Sequence, residues 1–163
     1  MDLTTRLYHP GDRQSFIDLN LAWIEESFSV ENSDRDQLEN LESMILAKGG
    51  RIVVAELDDQ VVGTGAILPP HHEPNDDHHW LEIVKMAARK DLRGRGIGRT
   101  VLEALIAEAK SMGADAIWLE TNSDLKAATI LYEKCGFRKL SENDLWPTPY
   151  ARCNLQMALI LEN

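Results

Sequence analysis

The residues Arg-Gly-Arg-Gly-Ile-Gly-Arg, at positions 93–99, stand between an apolar run that ends at Ala88 and an amphipathic run that begins at Thr100. The first run predicts a strand and the second a helix. A strand that turns through glycines into a helix gathers unpaired backbone N–H groups at the helix start, where the helix dipole also favours an anion. The sequence therefore predicts an anion-binding turn, and the arginines around it favour phosphate or pyrophosphate; the alternative is a solvated turn with a helix cap.

The overall charge of the chain limits which polyanions the glycine turn can bind. The formal net charge is −10, which argues against general affinity for nucleic acid, because that affinity needs a basic face that releases counterions. Positive charge is nevertheless concentrated in one stretch of eleven positions: Arg89, Lys90, Arg93, Arg95 and Arg99. An anionic ligand is therefore expected to bind locally, at the glycine turn.

Length and composition favour one domain over residues 1–163, with 44% hydrophobic and 27% charged residues. The N-terminus lacks the basic start and apolar stretch of a signal peptide, and no run is apolar enough to cross a bilayer. We therefore expect a cytoplasmic protein without a membrane partner. Cys135 and Cys153 form neither a disulfide framework nor a metal-ligand spacing, which favours buried free thiols.

Hydrophobic periodicity predicts the element order β-α-α-β-β-β-α-β-α-β-β, an α/β domain with a mixed sheet. The first helix is expected at about Asp12 to Phe28. A second helix is predicted across residues 32–50, capped by Ser33 or Asp34, and the last helix is predicted to begin at Ser123 or Asp124. A β-hairpin is predicted to turn at positions 58 and 59. The proline-containing segment 69–79 is predicted to be a loop that borders a functional site.

Three phosphate-binding patterns can be tested against the glycine spacing. The ATP-type loop needs a Gly-Lys-Ser/Thr triplet, which the chain lacks. The dinucleotide pattern G-x-G-x-x-G fails, because Arg99 or Val101 occupies the third glycine position. The pattern [Q/R]-x-x-G-x-[G/A] fits Arg93, Gly96 and Gly98.

This last pattern resembles the coenzyme A pyrophosphate loop of the GNAT superfamily of N-acetyltransferases. A second motif of that superfamily, A-x-x-L-Y-x-x-x-G-F, is matched by Ala128, Leu131, Tyr132, Gly136 and Phe137. The resemblance is tightest over residues 81–140. It implies the GNAT acyl-CoA N-acyltransferase fold, acetyl-CoA as cosubstrate and no metal.

The resemblance also implies where the coenzyme binds: the pyrophosphate on the N–H groups of residues 95–99, and the pantetheine arm beside the strand that ends at Ala88. Relatives often carry an asparagine where this chain has Leu125, and Asn122 is the predicted replacement. The coenzyme-binding residues implied are Met86, Ala87, Ala88, Arg93, Gly94, Arg95, Gly96, Ile97, Gly98, Arg99, Thr100, Asn122 and Tyr132.

Acetyl transfer needs a proton for the departing thiolate and a neutral amine as nucleophile. By resemblance Tyr132 is the general acid; the alternative role is a core aromatic. Glu82 is the predicted base, because alternation places it on a face with Trp80, Val84 and Met86, where burial raises a carboxyl pKa. The alternatives for Glu82 are a structural ion pair or an exposed edge position. The alternatives for the base are Glu120 or a water chain.

The histidines of segment 69–79 do not have metal-ligand spacing, which favours a mobile loop on the acceptor side, with His79 as an alternative proton relay near Glu82.

Trp23 and Phe28 are a possible apolar wall of an acceptor site. The predicted function is transfer of an acetyl group to a small primary amine or amino-acid-like metabolite by direct attack in a ternary complex. A protein lysine or N-terminal acetyltransferase, and a non-catalytic acyl-CoA-binding module, are the alternatives, and a homodimer is possible.

Overall fold

A computed structural model describes residues 2–161 of the chain. Its strands and helices follow the predicted order. The strands are β1 (Thr4–Leu7), β2 (Arg51–Leu57), β3 (Gln60–Leu68), β4 (Trp80–Ala88), β5 (Ala116–Thr121), β6 (Arg138–Lys139) and β7 (Leu155–Ile160). The α-helices are α1 (Arg13–Ser27), α2 (Asn32–Glu39), α3 (Ile97–Ser111) and α4 (Lys126–Lys134).

The seven strands form one mixed sheet in the order β1-β2-β3-β4-β5-β7-β6. Strands β4 and β5 are parallel and every other neighbouring pair is antiparallel. The predicted hairpin joins β2 to β3 through Asp58 and Asp59, both with positive φ (53° and 63°), the combination that a two-residue type I′ turn requires.

The helices cover both faces of the sheet. Helices α3 and α4 pack with Val53, Leu81 and Ile117 on one face, while α1 and α2 pack with Ile52 and Ala66 on the other. Alternation along each strand supplies both faces with apolar side chains. A third cluster, of Trp80, Trp118 and Trp146 with Ala116, lies around the starts of β4 and β5.

Two glycines of β3 allow α3 to lie unusually close to the sheet. A Cβ added to Gly63 would lie 2.5 Å from Cγ2 of Ile97, and one added to Gly65 would lie 2.8 Å from Cδ1 of Leu105. A close helix–sheet approach needs residues without side chains at these positions. It brings the N-terminus of α3 beside the C-terminal half of β4.

The predicted helix bounds need three corrections. The second helix is interrupted: α2 ends at Glu39 and a separate π-helical turn spans Glu42–Leu46. Its N-cap is Glu31, not Ser33 or Asp34. Helix α4 begins later than predicted, after an N-cap at Leu125, because Ser123 and Asp124 form a turn that Asn122 and Asn154 hold by hydrogen bonds.

No helix within residues 2–161 is both long enough and apolar enough to cross a membrane.

Candidate active site

The glycine turn places backbone donors at the start of α3. Gly94 and Gly96 have positive φ (83° and 76°), and Gly96 is the N-cap. The first helical hydrogen bond runs from Thr100 N–H to Gly96 O, at 3.0 Å, so the N–H groups of residues 97–99 precede the helical ladder. A Cβ at Gly94 or Gly96 would have no atom within 4 Å, so the turn has open space beside both glycines.

The arginines around the turn differ in how they are engaged. The Arg93 guanidinium is paired with Glu26 of α1, and the Arg99 guanidinium lies 3.2 Å from Glu103 within α3. Arg95 is exposed and pairs with no carboxylate in the described part of the chain. All three guanidinium groups lie at the protein surface, so their charge is accessible to an incoming anion.

Strand β4 separates from β5 just before the turn. The two strands pair only from Trp80 with Ala116 to Glu82 with Trp118 within residues 2–161, whereas β4 stays paired with β3 as far as Ala88. A bulge accompanies the separation: the β3–β4 register shifts opposite Gly65, and Lys85 has a positive φ of 56°. The end of β4 therefore has one edge that β5 does not occupy.

The unoccupied edge opens on a cleft between β4, α3 and α4, here called the α3 cleft. Ten of the thirteen predicted coenzyme-binding residues line it: Met86, Ala87, Ala88, Arg93, Gly94, Gly96, Ile97, Gly98, Arg99 and Tyr132. The three others, Arg95, Thr100 and Asn122, do not line the cleft.

A second cavity lies on the other side of Tyr132, here called the Glu120 cavity. Its lining side chains come from α1, β4, β5, the start of α4 and segment 150–153, and they include Trp23, Phe28, Glu120, Tyr150 and Arg152. Three residues, Trp23, Met86 and Tyr132, line both this cavity and the α3 cleft. Two ligands, one in each space, would meet at Tyr132.

Tyr132 is held by packing. Only 9% of the residue is exposed, and its ring lies edge-on to Phe137 with 6.0 Å between centroids. Burial raises the pKa of the hydroxyl to about 12, and the nearby Cys153 adds to this. The hydroxyl is therefore protonated at neutral pH and can donate a proton.

Glu120 is an ionisable residue that lines the Glu120 cavity and has one uncommitted oxygen. Its Oε2 is buried and lacks a hydrogen-bond partner among residues 2–161. Burial raises the pKa of this carboxyl, and Glu82 raises it further, while Thr148, His71 and Arg152 oppose the change. A buried, unpaired carboxylate oxygen of this kind favours a donor such as an amine.

Comparison with known proteins agrees with the sequence motifs. Residues 17–137 match the profile described as the Acetyltransferase (GNAT) family. The chain belongs to the GNAT acetyltransferase family. The predicted family and fold are thereby confirmed.

Two relatives show how far the similarity extends. The GNAT chain is 34% identical over 105 residues to the probable N-acetyltransferase camello of Xenopus tropicalis, covering 64% of this chain and 46% of that protein. It is 29% identical over 133 residues to the uncharacterized N-acetyltransferase YjgM of Escherichia coli, covering 82% and 75%. The chain thus spans about half the length of the first relative and three quarters of the second.

Solved structures share the fold over the whole chain. A GNAT-family acetyltransferase of Staphylococcus aureus superposes with a TM-score of 0.83 at 23% identity, covering 99% of this chain and 100% of that one. YncA of Salmonella typhimurium, a putative acetyltransferase solved with its cofactor acetyl-CoA, gives 0.74 at 20% identity, covering 100% and 96%. At these identities the likeness establishes the GNAT fold only.

The position of Glu82 in this GNAT fold differs from the prediction in two respects. Glu82 is buried, but it does not line the Glu120 cavity. The alternation that placed Met86 on its face is broken by the bulge at Lys85, and Met86 packs instead towards α3.

The partner of Glu82 is His71, not His79. The backbone N–H of His71 lies 2.8 Å from Glu82 Oε1, and its Nδ1 lies 3.0 Å from the same oxygen. The hydrogen bond to Glu82 is the main reason why the pKa of His71 rises to about 9, although burial opposes it. His71 is then an imidazolium at neutral pH, and it also donates from Nε2 to Pro147 O at 2.6 Å. His79 contacts the carbonyl of Gly113 instead.

A buried ionic cluster that no sequence pattern predicted lies beside the cavity; it is formed by Asp34, Lys85, Tyr150 and Arg152 and is here called the Asp34 cluster. Asp34 accepts a hydrogen bond from Lys85 Nζ at 2.6 Å and two from Arg152, at 2.6 and 2.7 Å. Lys85 and Arg152 also lie over the ring of Tyr150, at 4.9 and 4.7 Å from its centroid. The acidic residues around Asp34 are a weak sequence signal, because such charges are equally typical of a solvated helix. Lys85 and Arg152 lie 51 and 118 positions after Asp34, so no local pattern connects the three residues.

Other predicted groups have ordinary structural roles. Cys135 and Cys153 are free and partly buried. Residues 2–161 contain no group of three or more His, Cys, Asp or Glu side chains that could hold a metal ion. The side chain of Asn122 is committed to the chain itself, because it donates to Arg152 O at 2.7 Å and accepts from Asp124 N–H at 2.8 Å.

Proposed function

We propose that the protein transfers the acetyl group of acetyl-CoA to a primary amine of a small molecule, by direct attack within a ternary complex. The observation that carries this proposal is the position of Tyr132, which separates the α3 cleft from the Glu120 cavity and lines both. A coenzyme in the cleft and an amine in the cavity would meet at a group that can donate a proton.

The α3 cleft has the features that coenzyme A requires. The uncommitted N–H groups at the start of α3, with Arg93, Arg95 and Arg99 beside them, suit a pyrophosphate. The edge of β4 from Met86 to Ala88, which β5 does not occupy, suits the two amides of a pantetheine arm, since these can pair as an added strand would. Acetyl-CoA supplies the acetyl thioester. Asn122, with its amide committed elsewhere, is left out of the proposed contacts.

Glu120 is the proposed general base and Tyr132 the proposed general acid. A raised pKa makes the Glu120 carboxylate a stronger proton acceptor, and Oε2 has no other partner in the described chain. The amine nitrogen gives its proton to Glu120 and forms the new amide bond, while the thiolate leaves and takes a proton from the Tyr132 hydroxyl.

Glu82, the predicted base, has a supporting role in this proposal. Both of its carboxylate oxygens contact His71, at 3.0 and 3.1 Å from Nδ1. Glu82 also does not line the Glu120 cavity, so it is not placed to receive a proton from an amine there. We propose that Glu82 fixes His71 and, through it, the loop 69–79 behind Glu120.

The test is release of free CoA from acetyl-CoA by the purified chain, measured with a thiol reagent across free amino acids, diamines, arylalkylamines and short peptides. Turnover with at least one small amine, and its reduction by Tyr132→Phe at unchanged coenzyme affinity, would support the proposal. Turnover restricted to peptides would refute the small-molecule acceptor and would indicate a protein N-terminus or lysine as the acceptor. Tight coenzyme binding without turnover would leave a binding module instead.

Coenzyme placement has a separate test. Replacing Arg93 and Arg95 with glutamate should weaken acetyl-CoA binding, measured by calorimetry, by roughly 100-fold or more, because two positive charges beside the proposed pyrophosphate site become negative. Arg138→Glu is the matched control, since Arg138 lies on β6 and bonds only to backbone carbonyls. Equal affinities of all three proteins would refute the placement of the pyrophosphate.

A further inference from the structure

Arg152 is a wall residue of the Glu120 cavity whose donors are only partly used. A guanidinium has five N–H donors. Nη1 donates to Asp34 at 2.6 Å and to Glu31 at 3.3 Å, and Nη2 donates to Asp34 at 2.7 Å. The Nε–H and the second N–H of Nη2 have no acceptor among residues 2–161; Nε is not sealed from solvent, and 13% of the side chain is exposed.

The two unused donors form a fork. Asp34 occupies the end-on edge of the guanidinium, between Nη1 and Nη2, so the remaining edge is the side-on one, where the Nε–H and an Nη2–H are parallel. This edge matches the two oxygens of a carboxylate. A lysine at this position could supply charge but not the paired geometry.

The fork is held rigidly. Asp34 is fully buried, the Arg152 guanidinium lies 4.7 Å from the Tyr150 ring centroid, and Asn122 donates to the Arg152 carbonyl at 2.7 Å. A donor pair fixed in this way binds an anion without the entropy cost of ordering a free side chain.

The same cavity also has a group that favours a cation. Glu120 presents an unpaired, buried carboxylate oxygen, which favours an ammonium or amine. Trp23 and Phe28 of the α1 region complete the lining with apolar surface. The cavity thus offers one group for a cation, one for an anion, and an apolar wall.

We infer that the acceptor is a free amino acid with an apolar side chain, whose carboxylate binds the side-on edge of Arg152 while its amine lies at Glu120 and Tyr132. The inference rests on the proposed function and names the substrate class of the same site. A diamine would place a second cation against Arg152, and a simple amine would leave the fork solvated. Arg152 is therefore assigned as a specificity-determining residue.

The first experiment compares acceptors that differ only in the carboxylate. Phenylalanine, phenylalaninamide and phenethylamine, and the matching leucine series, are assayed for CoA release with the wild-type chain. The amino acid should exceed its amide and its decarboxylated amine in kcat/KM by roughly 10- to 100-fold, as expected for two hydrogen bonds to a charged group. Equal or better turnover of the uncharged analogues would overturn the inference.

The second experiment changes the fork. Arg152→Lys retains a cation near Asp34 but removes the paired donors, and it should lower the ratio of kcat/KM for phenylalanine to kcat/KM for phenethylamine by roughly 10-fold or more, mainly through a higher KM for phenylalanine. Arg138→Lys is the control for loss of an arginine elsewhere. A thermal melt and acetyl-CoA affinity establish that each variant is folded. An equal loss on both acceptors would assign Arg152 a structural role only and overturn the inference.

The outcomes separate the two levels of the proposal. Turnover of amines or diamines but not of amino acids refutes the amino-acid acceptor and leaves acetyl transfer standing. Acetyl-CoA binding without turnover of any acceptor refutes the proposed function itself, and the substrate class with it.

Discussion

Asp34→Asn is the substitution for which the structure gives the clearest magnitude. Asp34 is fully buried and carries hydrogen bonds from Lys85 and Arg152. Burial alone would raise its pKa, but these two cations outweigh burial and lower the pKa from 3.8 to about 2. Each pKa unit corresponds to about 1.36 kcal/mol, so ionisation of Asp34 contributes about 2 kcal/mol to the free energy of unfolding at neutral pH.

Asparagine removes the charge and leaves Lys85, whose side chain is only 4% exposed, without a counterion at that position. Breaking a buried ion pair costs about 3–5 kcal/mol. We therefore expect the free energy of unfolding at pH 7, measured by urea denaturation, to fall by about 2–5 kcal/mol. Asp36→Asn is the matched control, because Asp36 is an exposed aspartate on the same helix, and it should change stability by less than about 0.5 kcal/mol.

The pH dependence of this difference follows from the direction of the pKa change. Because the folded-state pKa of Asp34 lies below the unfolded one, its contribution is fully present above pH 3.8 and is lost as the pH falls from 3.8 towards 2. The wild-type advantage over Asp34→Asn should thus be constant from pH 7 to 5 and about 1 kcal/mol smaller at pH 3. A loss below about 1 kcal/mol at pH 7, or an advantage that does not shrink in acid, would show that the ionised Asp34 does not stabilise the fold.

Three further predictions concern the site. Glu120→Gln should lower kcat by roughly 10²- to 10⁴-fold without changing acetyl-CoA affinity, and it should abolish the acid limb of the kcat/KM–pH profile; a retained acid limb would point to another base. Gly96→Ala and Gly49→Ala both place alanine at positive φ (76° and 92°) and should each cost about 1–2 kcal/mol in urea, but only Gly96→Ala should weaken coenzyme binding in calorimetry. His71→Asn should lower the melting temperature at pH 6. The ion pair with Glu82 raises the pKa of His71 to about 9, so it stabilises the fold fully below pH 6.5 and is progressively lost as the pH rises through 9. A deficit in melting temperature that persists unchanged at pH 10 would contradict this.

The parts of the fold that the sequence predicted depend on local signals. The hairpin turn at Asp58 and Asp59, the glycine turn before α3, and the motif that contains Tyr132 are each defined within a few neighbouring positions. Periodicity and turn chemistry act over the same range. The order of strands and helices could be predicted from these local signals, because it does not depend on which distant residues are in contact.

The parts that the sequence did not predict depend on long-range contacts or on a local exception. The bulge at Lys85 inverts the face of every later residue in β4, and no local residue type announces it, because lysine is not typical of positive φ. The choice between Glu82 and Glu120 depends on His71, eleven positions before Glu82, whose loop conformation has no periodic signal.

The bulge and the Asp34 cluster belong to one structural device. A non-glycine residue at positive φ is strained by about 1–2 kcal/mol, and Lys85 can adopt this conformation because its ammonium reaches Asp34 at 2.6 Å and the Tyr150 hydroxyl at 3.2 Å. The same bulge accompanies the point where β4 leaves β5 and the cavity opens. Asp34 also accepts hydrogen bonds from Arg152, so one buried carboxylate contacts both the bulged strand and a side chain that lines the Glu120 cavity. The α3 cleft receives no hydrogen bond from this cluster, so loss of Asp34 should raise the acceptor KM more than it changes acetyl-CoA affinity.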